Sequence, residues 1–276
     1  MAEPQAQSHW RVSLPMYNLP EMQAVNTAFW EAIRRELERQ GVESLPGSLD
    51  FARAPVPERI ERDTLLSQVC GYPLQTIYRG QAALLGAPVY GAEHCAGATH
   101  AGVFVVHRDS AFARLADLRG CNFVYNSRHS NSGMNLPRRA IAEIVAGDRF
   151  FGSITETHSQ PGNIERVARR EADATCVDSV TYAFFCRHRP QLGEQTRVLA
   201  ATPPSPSIPF VTSVETPAPL QDALRAALRN VARSGEWAEA RSGLMLQDIA
   251  PVELESYGVQ LQYEREAQAS GYSELK

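Results

Sequence analysis

Between residues 20 and 40 the apolar positions Val25, Phe29, Ile33 and Leu37 recur at every fourth residue. That period places one stripe along a helix, so the spacing predicts an amphipathic helix opened by Pro20 and stopped by Gly41. Elsewhere the pattern shortens. After a first strand in "WRVSLPMY", the apolar runs "LLSQVCG", "AALLGAPVY", "GVFVVH", "CNFVYN", "FGSITETH", "ADATCVD", "TRVLAAT" and "IPFVTS" read as further strands. Helical patterns separate them: a segment ending near Val145, another over 162–170, the stretch "SVTYAFFCRHR", and a last helical section from Pro217 to the C-terminus. The alternation predicts an α/β protein with largely parallel strands.

The proline cluster "TPPSPSIP" is the best linker, and a second crossing is expected near "GATHAGVFVV". Two crossings predict two lobes, one built from 9–100 plus 205–276 and the other from 101–204. Ligands in such sheets collect outside the carboxyl ends of strands.

Composition narrows the chemistry. The chain has 276 residues, 43% of them apolar, a net charge of -4, and no apolar run that could span a bilayer. Without a basic block, nucleic acid is not an expected partner. Lys276 is the only lysine, which excludes a phosphate-binding P-loop and a pyridoxal-bearing lysine. The five cysteines follow no zinc spacing. Cys121, Cys176 and Cys186 read as buried thiols, while Cys70 and Cys95 lie in loop-like segments where one disulfide is an open option. His94, Cys95 and His100 cluster without matching a standard metal site, so no metal and no cofactor are expected. No charged-then-apolar leader opens the chain. The expectation is a periplasmic protein if such a leader has been removed, and a cytoplasmic one otherwise.

Several residues could carry chemistry. Ser130, Asn131, Ser132 and Gly133 stand where a helix begins, in "YNSRHSNSGMNLPRRA". Such a run caps a helix, and it also suits an anion, which is stabilised by unpaired N–H groups at a helix start. Arg128, His129, Arg138 and Arg139 add positive potential and are expected to face solvent. Asp178 follows a strand as a helix N-cap. His158 closes another strand. Tyr17 and Tyr72 follow strand ends, Tyr72 in a turn fixed by Pro73, and each offers a flat apolar face with a hydroxyl. His100 either lines a cleft or sits in a crossing.

In order along the chain, "MYNLPE", "LLSQVCGYPL", "VYGAEHCAGATHAGVFVV", "LADLRGCNFVYNSRHSNSGMN", "THSQPGNIERVARREADATCVDSVTY" and "ATPPSPSIPFVTS" resemble the phosphate/phosphite/phosphonate substrate-binding proteins of ABC transporters. The resemblance implies a type II periplasmic-binding fold: two α/β lobes, each a mainly parallel sheet flanked by helices, joined by two hinge crossings and closing on a small anion. It implies a monomeric carrier that delivers its ligand to an ABC permease, without membrane insertion of its own. It further implies ligand roles for Ser130, Asn131, Ser132, His158 and Asp178, with Asp178 accepting a proton from the bound group; Tyr17, Tyr72 and His100 join them as candidates from their own positions. The chain departs from the family pattern at His100 and Gly102, where a tyrosine and a small hydroxyl are usual, and at Glu156, Thr157 and Gly162 around His158. The identity of the anion therefore stays open. Two other readings stand beside transport: an enzyme of the same fold acting on a small carboxylated metabolite, with His158 and Asp178 as acid and base, and a cytoplasmic lobe that senses a ligand.

Overall fold

The computed structural model describes residues 9–145 and 149–276. The chain builds two compact units. The first takes the chain up to Gly91 and again from Ser207 to Leu254; the second takes Ala92–Pro206 and Glu255–Lys276.

Strand β1 (Arg11–Val12) is followed by α1 (Gln23–Arg39), β2 (Thr64–Gln68), the short α2 (Gly71–Gln75) and β3 (Ala82–Tyr90). Phe29, Ile33 and Leu37 are fully buried along α1, as their spacing requires. Tyr72 stands in the first turn of α2 and not in a bare turn.

The second unit opens with β4 (Thr99–His100) and β5 (Gly102–His107), then β6 (Asn122–Tyr125), α3 (Leu136–Ala142), β7 (Ser153–Glu156), α4 (Gln160–Ala168) and β8 (Ala174–Asp178). It continues through α5 (Ser179–His188), α6 (Pro190–Gly193), β9 (Thr196–Ala201) and β10 (Ser205–Pro206). Its sheet runs in the order β7-β6-β8-β5-β9. Every residue of β5 is buried, and its side chains alternate between two cores. Val103 and Val105 join Ile164, Val167 and Phe185 on one face. Phe104 and Val106 join Phe123, Ile141 and Phe151 on the other.

The chain returns to the first unit with β11 (Phe210–Ser213), α7 (Ala218–Arg233), α8 (Ala238–Gly243) and β12 (Leu246–Ala250), completing a sheet ordered β1-β2-β11-β3-β12. Helix α1 packs on α7 and α8. A Cβ on Gly243 would lie 2.7 Å from Val25 Cγ1, so glycine permits the close approach of α8 to α1. The final helix, α9 (Gly258–Ala269), belongs to the second unit.

Three features correct the sequence reading. The sheets are mixed where mainly parallel ones were expected. In the first, only β1 and β2 run parallel; in the second, β7, β6 and β8 are parallel while β5 opposes both β8 and β9. Of the strands that oppose their neighbours, β5 and β11 each follow a crossing from the other unit, while β12 opposes β3 later in the same segment as β11. The section after Pro217 is not wholly helical, because "LQDIA" forms the edge strand β12. The units also change at three places, and segment 255–276 sits with the middle of the chain, not with its start. The reason is packing: Ala267 and Tyr272 complete the core around Phe123, Phe150 and Phe151. Cys70 and Cys95 are not joined by a disulfide.

Candidate functional site

The candidate site is the edge of the second sheet where β6, β7 and β8 end. These parallel neighbours each lead directly into a helical start: β6 into the turn at Ser130, β7 into α4, and β8 into α5. Three helix N-termini therefore gather at the carboxyl ends of parallel strands, the usual ligand position in an open α/β sheet. Each start is capped by a short polar side chain. Ser130 Oγ accepts from Gly133 N at 2.9 Å, Ser159 Oγ accepts from Gly162 N at 3.0 Å, and Asp178 Oδ1 accepts from Val180 N at 2.7 Å and Thr181 N at 3.3 Å.

The first of these starts has an unusual winding. Asn135 N donates to Ser130 O at 3.1 Å and Leu136 N donates to Asn131 O. Both bonds span five residues, so Asn131–Asn135 is a π turn that runs on into α3. Such wide turns are rare and concentrate at functional sites. A Cβ on Gly133 would fall 1.9 Å from Asn126 Oδ1, so a side chain here would force Asn126 to shift.

Buried polar side chains fix this turn from behind. Asn131 Nδ2 donates to Ser205 Oγ at 2.8 Å, and Asn131 Oδ1 accepts from Asn135 Nδ2 at 3.1 Å. Asn135 Nδ2 also donates to Gln260 O of α9 at 2.9 Å, and Asn135 Oδ1 accepts from Arg138 Nη2 at 2.7 Å. Arg138 is 4% exposed and donates to Ser273 O at 2.9 Å. It was expected in solvent; instead it ties the turn to the C-terminal segment, whose carbonyl accepts its charge-assisted bond. Arg128 is exposed, whereas His129 and Arg139 are half-buried.

In front, one residue links two of the starts. Gln160 Oε1 accepts from Asp178 N at 2.8 Å, and Gln160 Nε2 donates to Ser132 Oγ at 3.0 Å. A backbone N–H can only donate, so the bond to Asp178 fixes which way the Gln160 amide faces. Sequence reasoning missed Gln160, because a glutamine beside Pro161 reads as ordinary loop; its place at the first position of α4 was the available signal.

Asp178 also meets His100. His100 Nδ1 lies 2.6 Å from Asp178 Oδ2, with the two side chains 3% and 2% exposed. The contact is off the axis of a regular hydrogen bond. Cys95 Sγ sits 3.6 Å from Ser179 Oγ, and burial pushes its thiol above the ordinary value, with the Ser179 hydroxyl partly opposing the shift. His158 is exposed at the end of β7, with φ at +63°, and its N–H donates to Asn126 O at 2.8 Å.

Thus Ser130, Asn131, Ser132, His100, His158 and Asp178 all lie in the second unit, five of them within one bonded or contacting framework and His158 held beside it at Asn126. Tyr17 and Tyr72 lie in the first unit, both buried. Tyr17 meets Tyr90 edge-on at 5.5 Å. Among the described residues no group of histidine, cysteine and acidic side chains gathers as a metal site, and no helix is long and apolar enough to cross a membrane.

Two α/β units with this strand order define a type II periplasmic-binding fold, and solved structures agree. A binding-protein component of an ABC phosphonate transporter from Pseudomonas aeruginosa is 14% identical, with a TM-score of 0.74 over 96% of this chain and 88% of that one. PhnD1 from Prochlorococcus marinus, in complex with methylphosphonate, is 15% identical, with a TM-score of 0.67 over 94% and 98%. A Xanthomonas citri protein bound to ATP is 16% identical, with a TM-score of 0.67 over 95% and 98%. No curated relative matches the chain. The family model for phosphonate ABC-transporter periplasmic substrate-binding proteins matches residues 74–257. The chain belongs to that family, and its role is that of a transporter's solute-binding protein.

Proposed function

We propose that the protein captures a small tetrahedral oxyanion of the phosphonate or phosphate type at the strand-end edge of its second unit, and hands it unchanged to an ABC permease. One observation carries this reading. Ser132 Oγ already accepts from Gln160 Nε2, so its own O–H hydrogen is the group left to donate outward. A neutral donor fixed at a helix start, beside backbone N–H groups carrying partial positive charge, suits a negative oxygen. Asn131, bonded on both ends of its amide, positions the turn, while Ser130 caps it. His158, held next to the turn at Asn126, supplies a second donor. The carrier works as a monomer in the periplasm, and none of these groups needs to break a bond in the ligand.

A thermal-shift screen tests the reading, using phosphate, phosphite, methylphosphonate, sulfate and acetate. Ligand at about 100 times its Kd stabilises the folded state by about 2.7 kcal/mol, which raises Tm visibly. Tetrahedral oxyanions are expected to raise Tm where acetate does not, and mass spectrometry is expected to recover each ligand intact. No shift with any oxyanion, or a product formed at a protein-dependent rate, would overturn the proposal.

A further inference from the structure

The direction of the hydrogen bonds at this edge is fixed from one end. Asp178 N is a backbone amide and can only donate, so Gln160 Oε1, 2.8 Å away, is the accepting end of that side chain. The other end, Nε2, meets Ser132 Oγ at 3.0 Å and must donate to it. An amide nitrogen has no lone pair to offer, so the serine oxygen accepts and its hydrogen points elsewhere. Among the described residues Ser132 Oγ has no second hydrogen-bond partner. Regular elements hold all three members in place. Gln160 is half-buried at the first position of α4, whose start Ser159 caps. Asp178 ends β8, and Ser132 lies in the π turn, 4% exposed. The chemistry at Gln160 decides what Ser132 offers. A carboxylate of the same shape would accept from Asp178 N equally well, but it would also accept from Ser132. The serine hydrogen would then be drawn inward and its lone pairs turned to the ligand, where a bare oxyanion oxygen is repelled and a ligand hydroxyl is welcome.

We propose that Gln160 is a positioning residue that sets specificity: its amide keeps the Ser132 hydrogen turned to the ligand, so the site admits an oxyanion oxygen that carries no proton, in sulfate as in phosphate. The inference rests on the anion-site reading above.

Sulfate and hydrogen phosphate separate the two arrangements. At about pH 8.5 both are tetrahedral dianions, and only the second carries a hydroxyl. Calorimetric titration of each ion is made into the full-length wild-type protein, Gln160→Glu, Ser132→Ala and the double variant. An acidic residue in the first turn suits the helix dipole, so Gln160→Glu keeps α4. The introduced charge repels both dianions alike, and the Asp178 carboxylate is common to every variant, so neither moves the ratio of the two affinities. The wild-type protein is expected to bind sulfate within about tenfold of hydrogen phosphate. Gln160→Glu is expected to weaken sulfate by at least about fivefold more than hydrogen phosphate, because only the latter can donate to the turned serine. With Ser132→Ala already in place, the same substitution is expected to leave the ratio unmoved. A folded Gln160→Glu with a smaller shift would overturn the inference, as would a shift that persists without the Ser132 hydroxyl. If Gln160→Glu does not fold, the wild-type ratio decides alone, and outright rejection of sulfate overturns the inference. Binding of neither ion by the wild-type protein would remove the anion-site reading and this inference with it, whereas binding with the wrong ratio faults the role of Gln160 only.

Discussion

Replacing Gln160 with alanine removes a side chain that joins the Ser132 turn to Asp178. Two hydrogen bonds go, at 2.8 Å to Asp178 N and 3.0 Å to Ser132 Oγ. Their consequences differ. Ser132 keeps a hydroxyl that can rotate to another partner, so its loss is small. Asp178 is 1% exposed, and its N–H would lose the acceptor that Gln160 supplies. An unsatisfied buried donor costs about 1–3 kcal/mol. Ser159 still caps α4 through Gly162, so the helix start persists and the total stays near about 2 kcal/mol. Urea unfolding followed by circular dichroism reads the total, and amide hydrogen exchange reads the place. The Asp178 amide is expected to exchange faster in Gln160→Ala while amides in the middle of β5 change little. Gln160→Glu is the matched control: it retains the acceptor for Asp178 N, so protection of that amide returns, while its added charge weakens anion binding. An Asp178 amide that exchanges at the wild-type rate in Gln160→Ala, with an unmoved urea midpoint, would refute the linkage.

Gly133→Ala places a methyl group 1.9 Å from Asn126 Oδ1 and 3.1 Å from Ser130 Oγ. It is expected to destabilise by about 1–3 kcal/mol through overpacking. Adding Asn126→Ala should restore part of that loss, a coupling of at least about 0.5 kcal/mol, and strict additivity in urea unfolding would contradict the clash. In the first unit, hydrogen bonding to the Arg233 guanidinium holds the Asp248 carboxyl below its ordinary value. A lowered pKa contributes stability that is present above the unfolded value and lost as pH falls through the folded one. Both partners are more than a third exposed, at 59% and 38%, so screening limits the effect to a few tenths of a kcal/mol, roughly the size of other surface pairs. Arg233→Leu is therefore expected to unfold at slightly lower urea than the wild type near about pH 7, and the two midpoints should converge as pH falls below the folded-state value of Asp248.

Much of this could be read from residue order. "GVFVVH" names a strand, and all six of its residues are buried in β5. Asp178 reads as a cap because it ends an apolar strand and precedes a helical pattern, and it does cap α5. What escaped the sequence depends on long-range partners. Strand direction cannot be seen in β5 or β11, because an apolar run looks the same in either orientation. The adjacent arginines at 138 and 139 resemble a solvated face, yet Arg138 is buried because a carbonyl from Ser273, far along the chain, meets it. The placement of α9 was hidden for a similar reason: its apolar residues demand a core without saying which. Beyond its place at the start of α4, Gln160 carries no local signature, since its role exists only once β6 and β8 lie side by side.

The central claim is that the turn at Ser132 donates to a bound oxyanion. Isothermal titration of methylphosphonate into the wild-type protein and Ser132→Ala tests it most directly. The account predicts saturable binding at one site, weakened in the variant by about 1–3 kcal/mol, the worth of a hydrogen bond to a charged group. Equal affinity for both proteins would contradict it and leave Ser132 as no more than part of a helix start.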